Sequence, residues 1–304
     1  MLDGDTSATE TTRTRGTTES LYVAVRCGQS GRTVSESGAA IELRRVTKRF
    51  VSPTGKSFTA LRDLDLTVAP GEFCAVVGPT GCGKSTTLAL ISGLEPPSVG
   101  TVEVFGQPVK AVADRVGYVF QRDAVFPWKN VLENVAIGPQ FRGVAADRAR
   151  AEAREWIARV GLAGFEKYYP HQLSGGMRKR VALAQTLINQ PRILLMDEPF
   201  SALDVQTRAL MENELLDLWA STGASVVFVT HDLEEAIGLA DRVVVITAGP
   251  GTVKGTYQVD LPRPRNIAEI RFQPRFVELY EEIWKDLRDE VLVSYERSKH
   301  NVAS

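Results

Sequence analysis

The stretch Gly78-Pro79-Thr80-Gly81-Cys82-Gly83-Lys84-Ser85 sets three glycines, a lysine and a hydroxyl into one short loop. Glycines let backbone N–H groups approach a small anionic volume that side chains would otherwise fill, so such a loop can cradle a polyphosphate. Lys84 can reach the β- and γ-phosphates, the Ser85 hydroxyl can ligate Mg²⁺, and Thr86 can add a phosphate contact. The spacing satisfies G-x-x-x-x-G-K-[ST], and its surroundings are those the motif needs. Phe73-Cys74-Ala75-Val76-Val77 reads as a strand before it, and Thr86-Thr87-Leu88-Ala89-Leu90-Ile91-Ser92 as a helix after it, stopped by Gly93, Pro96 and Pro97. Taken alone, the loop admits a kinase, a GTPase or any other phosphate-loop enzyme.

A second concentration of reactive groups is Arg192-Ile193-Leu194-Leu195-Met196-Asp197-Glu198-Pro199, a buried-strand pattern ending in adjacent carboxylates. Open α/β sheets bind ligands at the carboxyl ends of their strands, and paired carboxylates there are costly unless a cation needs them. Asp197 can therefore hold Mg²⁺ through water, and Glu198 can orient and deprotonate an attacking water. Val229-Thr230-His231-Asp232 puts His231 at another strand end. A lone histidine there is ordinarily structural; its order after Asp197-Glu198 gives it the functional reading. Gln121, after Val116-Gly117-Tyr118-Val119-Phe120, can sense Mg²⁺ and the water through its amide. In Leu173-Ser174-Gly175-Gly176-Met177 a serine, two glycines and a helix start converge on an anion, with Ser174 as the N-cap.

Positioning these groups requires strands. Ile41-Glu42-Leu43, Val46 to Phe50 and the alternating Leu64-Asp65-Leu66-Thr67-Val68 predict an antiparallel pair ahead of the phosphate loop, with a further strand at Thr101-Val102-Glu103-Val104-Phe105. From about Asp123 to Gln190 the pattern turns helical. Asp147 is the expected N-cap of a helix carrying Ala149, Ala153, Trp156, Ile157 and Val160 and ended by Gly161. Strand-like runs return at 192–197, 225–230 and 242–246, separated by helices near 205–220 and 233–239. Apolar strands alternating with helices predict a largely parallel sheet covered on both faces, with the helical stretch inserted into an α/β core.

At 304 residues the chain can bury a large core, as one big domain or two smaller ones. Lys+Arg 36 against Asp+Glu 37 leaves a net charge of −1, which gives no support to a dominant nucleic-acid role. Cys27, Cys74 and Cys82 are scattered and odd in number. Neither a disulfide framework nor a metal cluster is expected, and a reducing compartment fits. No apolar run approaches the ~20 residues that span a bilayer, so work at a membrane would need another chain as anchor. Residues 1–38, rich in Thr, Ser and Gly with one apolar patch at Leu21-Tyr22-Val23-Ala24-Val25, read as a disordered leader.

In this order, the phosphate loop, Gln121, Leu173 to Met177, Asp197-Glu198, Ser201-Ala202-Leu203-Asp204 and His231 resemble the nucleotide-binding subunit of ATP-binding cassette (ABC) transporters, over about 41–264. The resemblance implies an α/β P-loop NTPase (RecA-like) core with an antiparallel β subdomain and an inserted α-helical subdomain. The cassette would cover 39–264, with its helical subdomain at about 123–190, and a helical tail would follow at 265–304. It implies a transport-coupled ATPase using ATP and Mg²⁺. Such subunits work as head-to-tail dimers with a second copy or a paralogous ATPase subunit, each ATP lying between the phosphate loop of one and Ser174, Gly175 and Gly176 of the other. Gly78, Pro79, Thr80, Gly81, Cys82, Gly83, Lys84, Ser85 and Thr86 would hold the nucleotide, and Phe50 would stack on adenine. Gln121 would be the Q-loop and join Ser85 and Asp197 around Mg²⁺. Glu198 would be the catalytic base, with Lys84 at the phosphates, His231 the switch histidine and Asp204 the aspartate that crosses the dimer. Met177 stands where the family's signature usually has glutamine; the backbone anion site survives, but a polar side-chain contact is lost.

Phe126-Pro127-Trp128 with Val131-Leu132-Glu133-Asn134-Val135 resembles the importer group handling nitrate, sulfonates, taurine and pyrimidine precursors. In transporters this segment lines the groove for the coupling helix of the membrane subunit; the bland alternative is that Trp128 packs beneath a proline turn. Leu261-Pro262-Arg263-Pro264-Arg265 and a helix from Pro274, with Phe276, Leu279, Tyr280, Ile283, Trp284 and Leu287 on one stripe, fit the same group. The implied partners are transmembrane permease subunits and an extracytoplasmic substrate-binding protein, with no nucleic acid. The implied place is the cytoplasmic face of the inner membrane, peripherally. The alternatives are an exporter subunit, or a soluble cassette protein acting on nucleic acid or ribosomes. Against the latter, the stretch between Ser85 and Ser174 is too short for the long coiled coils of DNA-repair cassettes, and there is no second phosphate loop.

Overall fold

The computed structural model describes residues 38–302, apart from 53–54, 113–114 and 123. The expected leader and Cys27 lie outside the described residues. Strand β1 (Ile41–Val51) pairs antiparallel with β2 (Ser57–Val68), from Ile41 opposite Val68 to Val51 opposite Ser57. Ile41, Leu43 and Val46 of β1 and Leu64, Leu66 and Val68 of β2 are buried, as period-two alternation requires of a sheet with one wet face. Then come β3 (Phe73–Val77), the phosphate loop and α1 (Lys84–Ser92), which ends on Gly93 at φ 76. β4 (Val99–Val104) pairs with β1, and the two-residue β5 (Gln107–Pro108) with β4, giving an antiparallel sheet in the order β2-β1-β4-β5.

After β6 (Val116–Val119) follow the helices α2 (Val131–Phe141), α3 (Ala146–Arg159) and α4 (Gly175–Leu187). Asn130 caps α2 through a capping box: its side chain accepts from Glu133 N at 2.9 Å, and the Glu133 carboxylate accepts from Asn130 N at 3.0 Å. The expected cap of α3 is displaced. Ala145 occupies the cap without a side-chain bond, and Asp147 lies inside the first turn, where its charge complements the helix dipole.

β7 (Ile193–Asp197), α5 (Val205–Thr222), β8 (Ser225–Thr230), α6 (Leu233–Leu239) and β9 (Arg242–Ile246) continue the α/β alternation, and β10 (Val253–Gln258) closes the edge antiparallel to β9. The sheet order is β10-β9-β3-β8-β7-β6, parallel from β9 to β6. Every residue of β3, β7 and β8 is buried, because helices or the antiparallel sheet cover both faces. Phe73, Ala75 and Val77 join one apolar layer with Leu183, Leu215 and Ile237, whereas Cys74 and Val76 join the other with Leu88, Ile91 and Leu64.

The chain closes with α7 (Ile267–Ile270) and α8 (Pro274–Val302). Ahead of them the buried Arg265 donates to the carbonyls of Ile237, Gly238, Ala240 and Leu261, which satisfies the carboxyl end of α6 and ties the tail to it. On α8, Phe276, Leu279, Ile283 and Leu287 are buried and Tyr280 is half-buried, but Trp284 is 40% exposed. The packed stripe is therefore narrower than the apolar pattern suggests.

Between α5, α6, α7 and α8 lies a cavity of about 340 Å³ into which Glu212 and Glu235 are buried beside Asp232. Burial first, then the charges of Glu235 and Asp232, push the Glu212 carboxyl up to about 8, and burial pushes Glu235 up to about 7. Both carboxyls bind protons more tightly in the folded chain than in the unfolded one. The stability they contribute is complete below pH 4.5 and is lost as pH rises toward about 8. Glu212→Gln removes one of these titrations. It should melt with wild type near about pH 4.5 and several degrees above it near about pH 8.5, a gain on the order of 2 kcal/mol. A melting difference that does not change with pH in calorimetry would remove Glu212 from that role.

Candidate functional site

The loop at 78–85 wraps the N-terminus of α1, and its shape explains its glycines. Gly81 (φ 80) and Gly83 (φ 103) occupy the left-handed region, and a Cβ on Gly83 would lie 2.6 Å from Leu61 Cδ2. Lys84 is buried, and its ammonium donates to the carbonyls of Gly78 and Pro79 at 2.8 and 3.0 Å. The Cys82 side chain lies in the apolar layer, where burial pushes its thiol up, so only its backbone is available to a phosphate.

α1 packs across β7, and Ser85 Oγ donates to Asp197 Oδ1 at 3.0 Å. Burial raises the Asp197 carboxyl even though Ser85 donates to it. Two oxygen donors held this close, one of them an acid whose charge is incompletely compensated, fit a hard divalent cation. Gln121 lines the same cleft as Ser85, and its amide Nε2 donates to Glu198 Oε2 at 3.3 Å.

Glu198 follows β7 at φ 42, a left-handed conformation that costs a non-glycine residue about 1–3 kcal/mol and is concentrated at functional sites. Its N–H donates to Val229 O at 2.9 Å, which pins that turn to β8. Glu198 Oε2 lies 3.0 Å from His231 Nδ1, and Oε1 lies 3.8 Å from Lys84 Nζ. One carboxylate is thus held by an amide, an imidazole and an ammonium, beside a loop shaped for phosphate.

These groups line a cleft of about 410 Å³, which extends from Glu198 and His231 past Thr80 and Thr86 to Phe50 and Phe58. Phe50 is 37% exposed and Phe58 is 58% exposed, and they sit opposite each other in the β1–β2 register. Reading the sequence found Phe50 and missed Phe58; the signal was the pairing register, which a period-two pattern alone does not set. Also missed was Lys179, whose ammonium donates to Gln121 O at 2.7 Å. Arg208 was missed too: it donates to Leu203 O at 3.2 Å and to Asp232 Oδ2 at 3.0 Å, joining the Asp204 segment to the residue after His231.

Ser174, Gly175, Gly176 and Asp204 are not among the cleft residues. Ser174 caps α4, accepting from Met177 N at 3.2 Å, and Asp204 caps α5, accepting from Thr207 N at 3.0 Å. A Cβ on Gly176 would lie 3.0 Å from Thr207 Cγ2, so the two capped turns are neighbours. The two capped turns therefore lie apart from the cleft that holds Lys84, Glu198 and His231.

Past Gln121, the turn at 126–130 is held by the fully buried Asn134. Its Oδ1 accepts from Phe126 N at 2.7 Å, and its Nδ2 donates to the carbonyls of Phe126, Lys129 and Asn130. Trp128 stands out of this turn 71% exposed and does not pack beneath it. Beside it a groove of about 340 Å³ is lined by Phe120, Phe126, Ile137 and Gln185 and reaches Asn189, whose Oδ1 is buried without a hydrogen-bond partner.

The ABC transporter family matches residues 61–201. An uncharacterised ABC transporter ATP-binding protein of Methanocaldococcus jannaschii is 45% identical, over 84% of this chain and 93% of its own. Taurine import ATP-binding proteins TauB of Burkholderia pseudomallei and of a Jannaschia species are 42% and 38% identical, over 78% and 85% of this chain and 92% and 98% of their own. A solved ATP-binding cassette, dimeric, in a post-hydrolysis state and bound to ADP and Pi, superposes with a TM-score of 0.65 at 31% identity, covering 73% of this chain and all of that one. Identity of this level across nearly whole relatives, on a chain whose phosphate loop, Glu198 and His231 converge in one cleft, means that the chain belongs to the ABC transporter ATP-binding family and is an ATPase.

Proposed function

We propose that this ATPase energises uptake of a small anionic or organic solute through partner permease subunits. The observation that carries the coupling to a partner is Trp128, exposed on a fixed turn a few residues after the glutamine that touches Glu198. An apolar contact there is mechanically linked to the catalytic carboxylate. Taurine import relatives at 42% and 38% identity support the importer reading. Among the described residues no helix is long and apolar enough to cross a membrane, so the permease would supply the span and hold the ATPase at the cytoplasmic face. An extracytoplasmic binding protein would select the cargo.

In this reading Glu198 takes the proton of the attacking water, with Gln121 and His231 fixing its carboxylate and Lys84 lowering the charge of the leaving phosphates. Phe50 and Phe58 stack on the base. Ser85 and Asp197, with Gln121, would hold Mg²⁺, which supplies neutralisation of phosphate charge when bound. Ser174, Gly175, Gly176 and Asp204 complete the site of a second copy, or of a paralogous subunit, in a head-to-tail dimer. Closing that dimer on ATP and reopening it after hydrolysis is the two-state motion the permease would follow.

Glu198→Gln keeps the shape and removes the base, so ATP should still bind while steady-state phosphate release falls roughly a hundredfold or more. Near-normal turnover would take Glu198 out of that role. Phe50→Ala should weaken ATP binding by about tenfold in calorimetry, the scale of one base–aromatic stack, with Phe50→Trp restoring it. Competition by inorganic triphosphate should not change, and an equal loss for both ligands would argue against stacking. Finally, Trp128→Asp should bind ATP normally yet lose the permease that co-purifies with the wild-type chain from solubilised membranes. Co-purification with ribosomes or DNA alone would reject the transport reading.

A further inference from the structure

The turn at 247–252, between β9 and β10, closes on itself: Thr247 Oγ1 donates to Pro250 O at 3.0 Å and accepts from Thr252 N at 3.1 Å. Its inner side lies against the back of the phosphate loop. Gly251 N donates to Ala60 O at 2.8 Å, Arg62 N donates to Gly251 O at 2.9 Å, and a Cβ on Gly251 would fall 2.2 Å from the Cys82 carbonyl oxygen. Likewise a Cβ on Gly78 would fall 2.9 Å from Ile246 O. At Gly251 the tightest of these contacts is backbone against backbone.

The outer side of the same turn is gripped by α8. Glu290 Oε2 accepts from Ala248 N at 2.7 Å, and Arg297 donates to Ala248 O at 2.8 Å and also to Gly249 O. Lys254 of β10 pairs with Glu290 at 2.9 Å and donates to Asp286 O at 3.0 Å. Glu290 and Arg297 lie beyond Leu287, the last buried apolar residue of α8 among the described residues, so the docking of the helix does not require their contacts.

We propose that Glu290 and Arg297 are positioning residues for ATP, α8 acting as a strut that holds the 247–252 turn against the phosphate loop. The physical link is the planar peptide between Cys82 and Gly83. Its C=O and N–H point in opposite directions, so a backbone pressed against Cys82 O fixes the direction of the Gly83 N–H on the phosphate side. If the turn is free to recede, that N–H is no longer preorganised, and each phosphate bound must first order it. The effect belongs to nucleotide affinity and not to the chemical step, because Glu198, Gln121 and His231 are reached from other strands.

The test uses the full chain with MgATP. Glu290→Ala and Arg297→Ala should each raise the Kd and KM for ATP by about fivefold, the worth of one net hydrogen bond, and leave turnover at saturating ATP unchanged. Glu290→Gln, which keeps an acceptor for Ala248 N, should recover most of the affinity. Lys285→Ala, an exposed change on the same helix, should leave affinity unchanged. Hydrogen exchange should quicken in the two alanine variants both at 247–252 and in the phosphate loop. The proposal is overturned if affinity in Arg297→Ala stays within about twofold of wild type, or if exchange quickens at 247–252 while the phosphate loop stays protected. It is also overturned if turnover falls with KM unmoved. Should Glu290→Ala not fold, Arg297→Ala decides alone.

Discussion

Parallel register is the constraint on which the rest of this structure depends. Val77 lies opposite Thr230, and Asp197 opposite Val229, so β3, β8 and β7 all end at one edge of the sheet. The phosphate loop, His231 and the Asp197-Glu198 pair leave the sheet there together, although more than a hundred residues separate some of them in sequence. A slip of one residue would turn buried side chains toward the wrong layer on both faces. The core that enforces this register is therefore also what brings the reactive groups to one place.

At that edge the electrostatics are tightly bound. Lys84 is removed from water but compensated by two carbonyls, and Glu198 lies between the His231 imidazole and the Lys84 ammonium. Asp197 is different. Burial works against its charge, and the hydroxyl of Ser85 only partly offsets that. A site whose anion is left under-compensated in the free protein gains most when a cation arrives.

Much of this was legible because it rests on local pattern. The loop glycines, the carboxylates after an apolar strand and the histidine after another are short strings whose chemistry and strand context coincide, and the two-layer α/β architecture follows from apolar runs alternating with helices. What escaped depended on pairing across the chain. Phe58 became visible only through the β1–β2 register, and β5 is too short to show a period. Cys82 sits within the motif yet faces the core, because the loop must turn one side chain inward to pack on β9. Asp147, expected as the cap, lies in the first turn of α3 behind Ala145. Glu290 and Arg297 lie outside the apolar stripe that was legible on the last helix, and their partners lie more than forty residues away.

The Asn134 side chain gives the turn at 126–130 all four of its bonds from a position with no solvent access. Trp128 is therefore presented on a backbone already frozen before anything touches it. Ordering a loop on association costs free energy, and here that cost was met when the chain folded. A partner meeting this surface would lose mainly its own freedom.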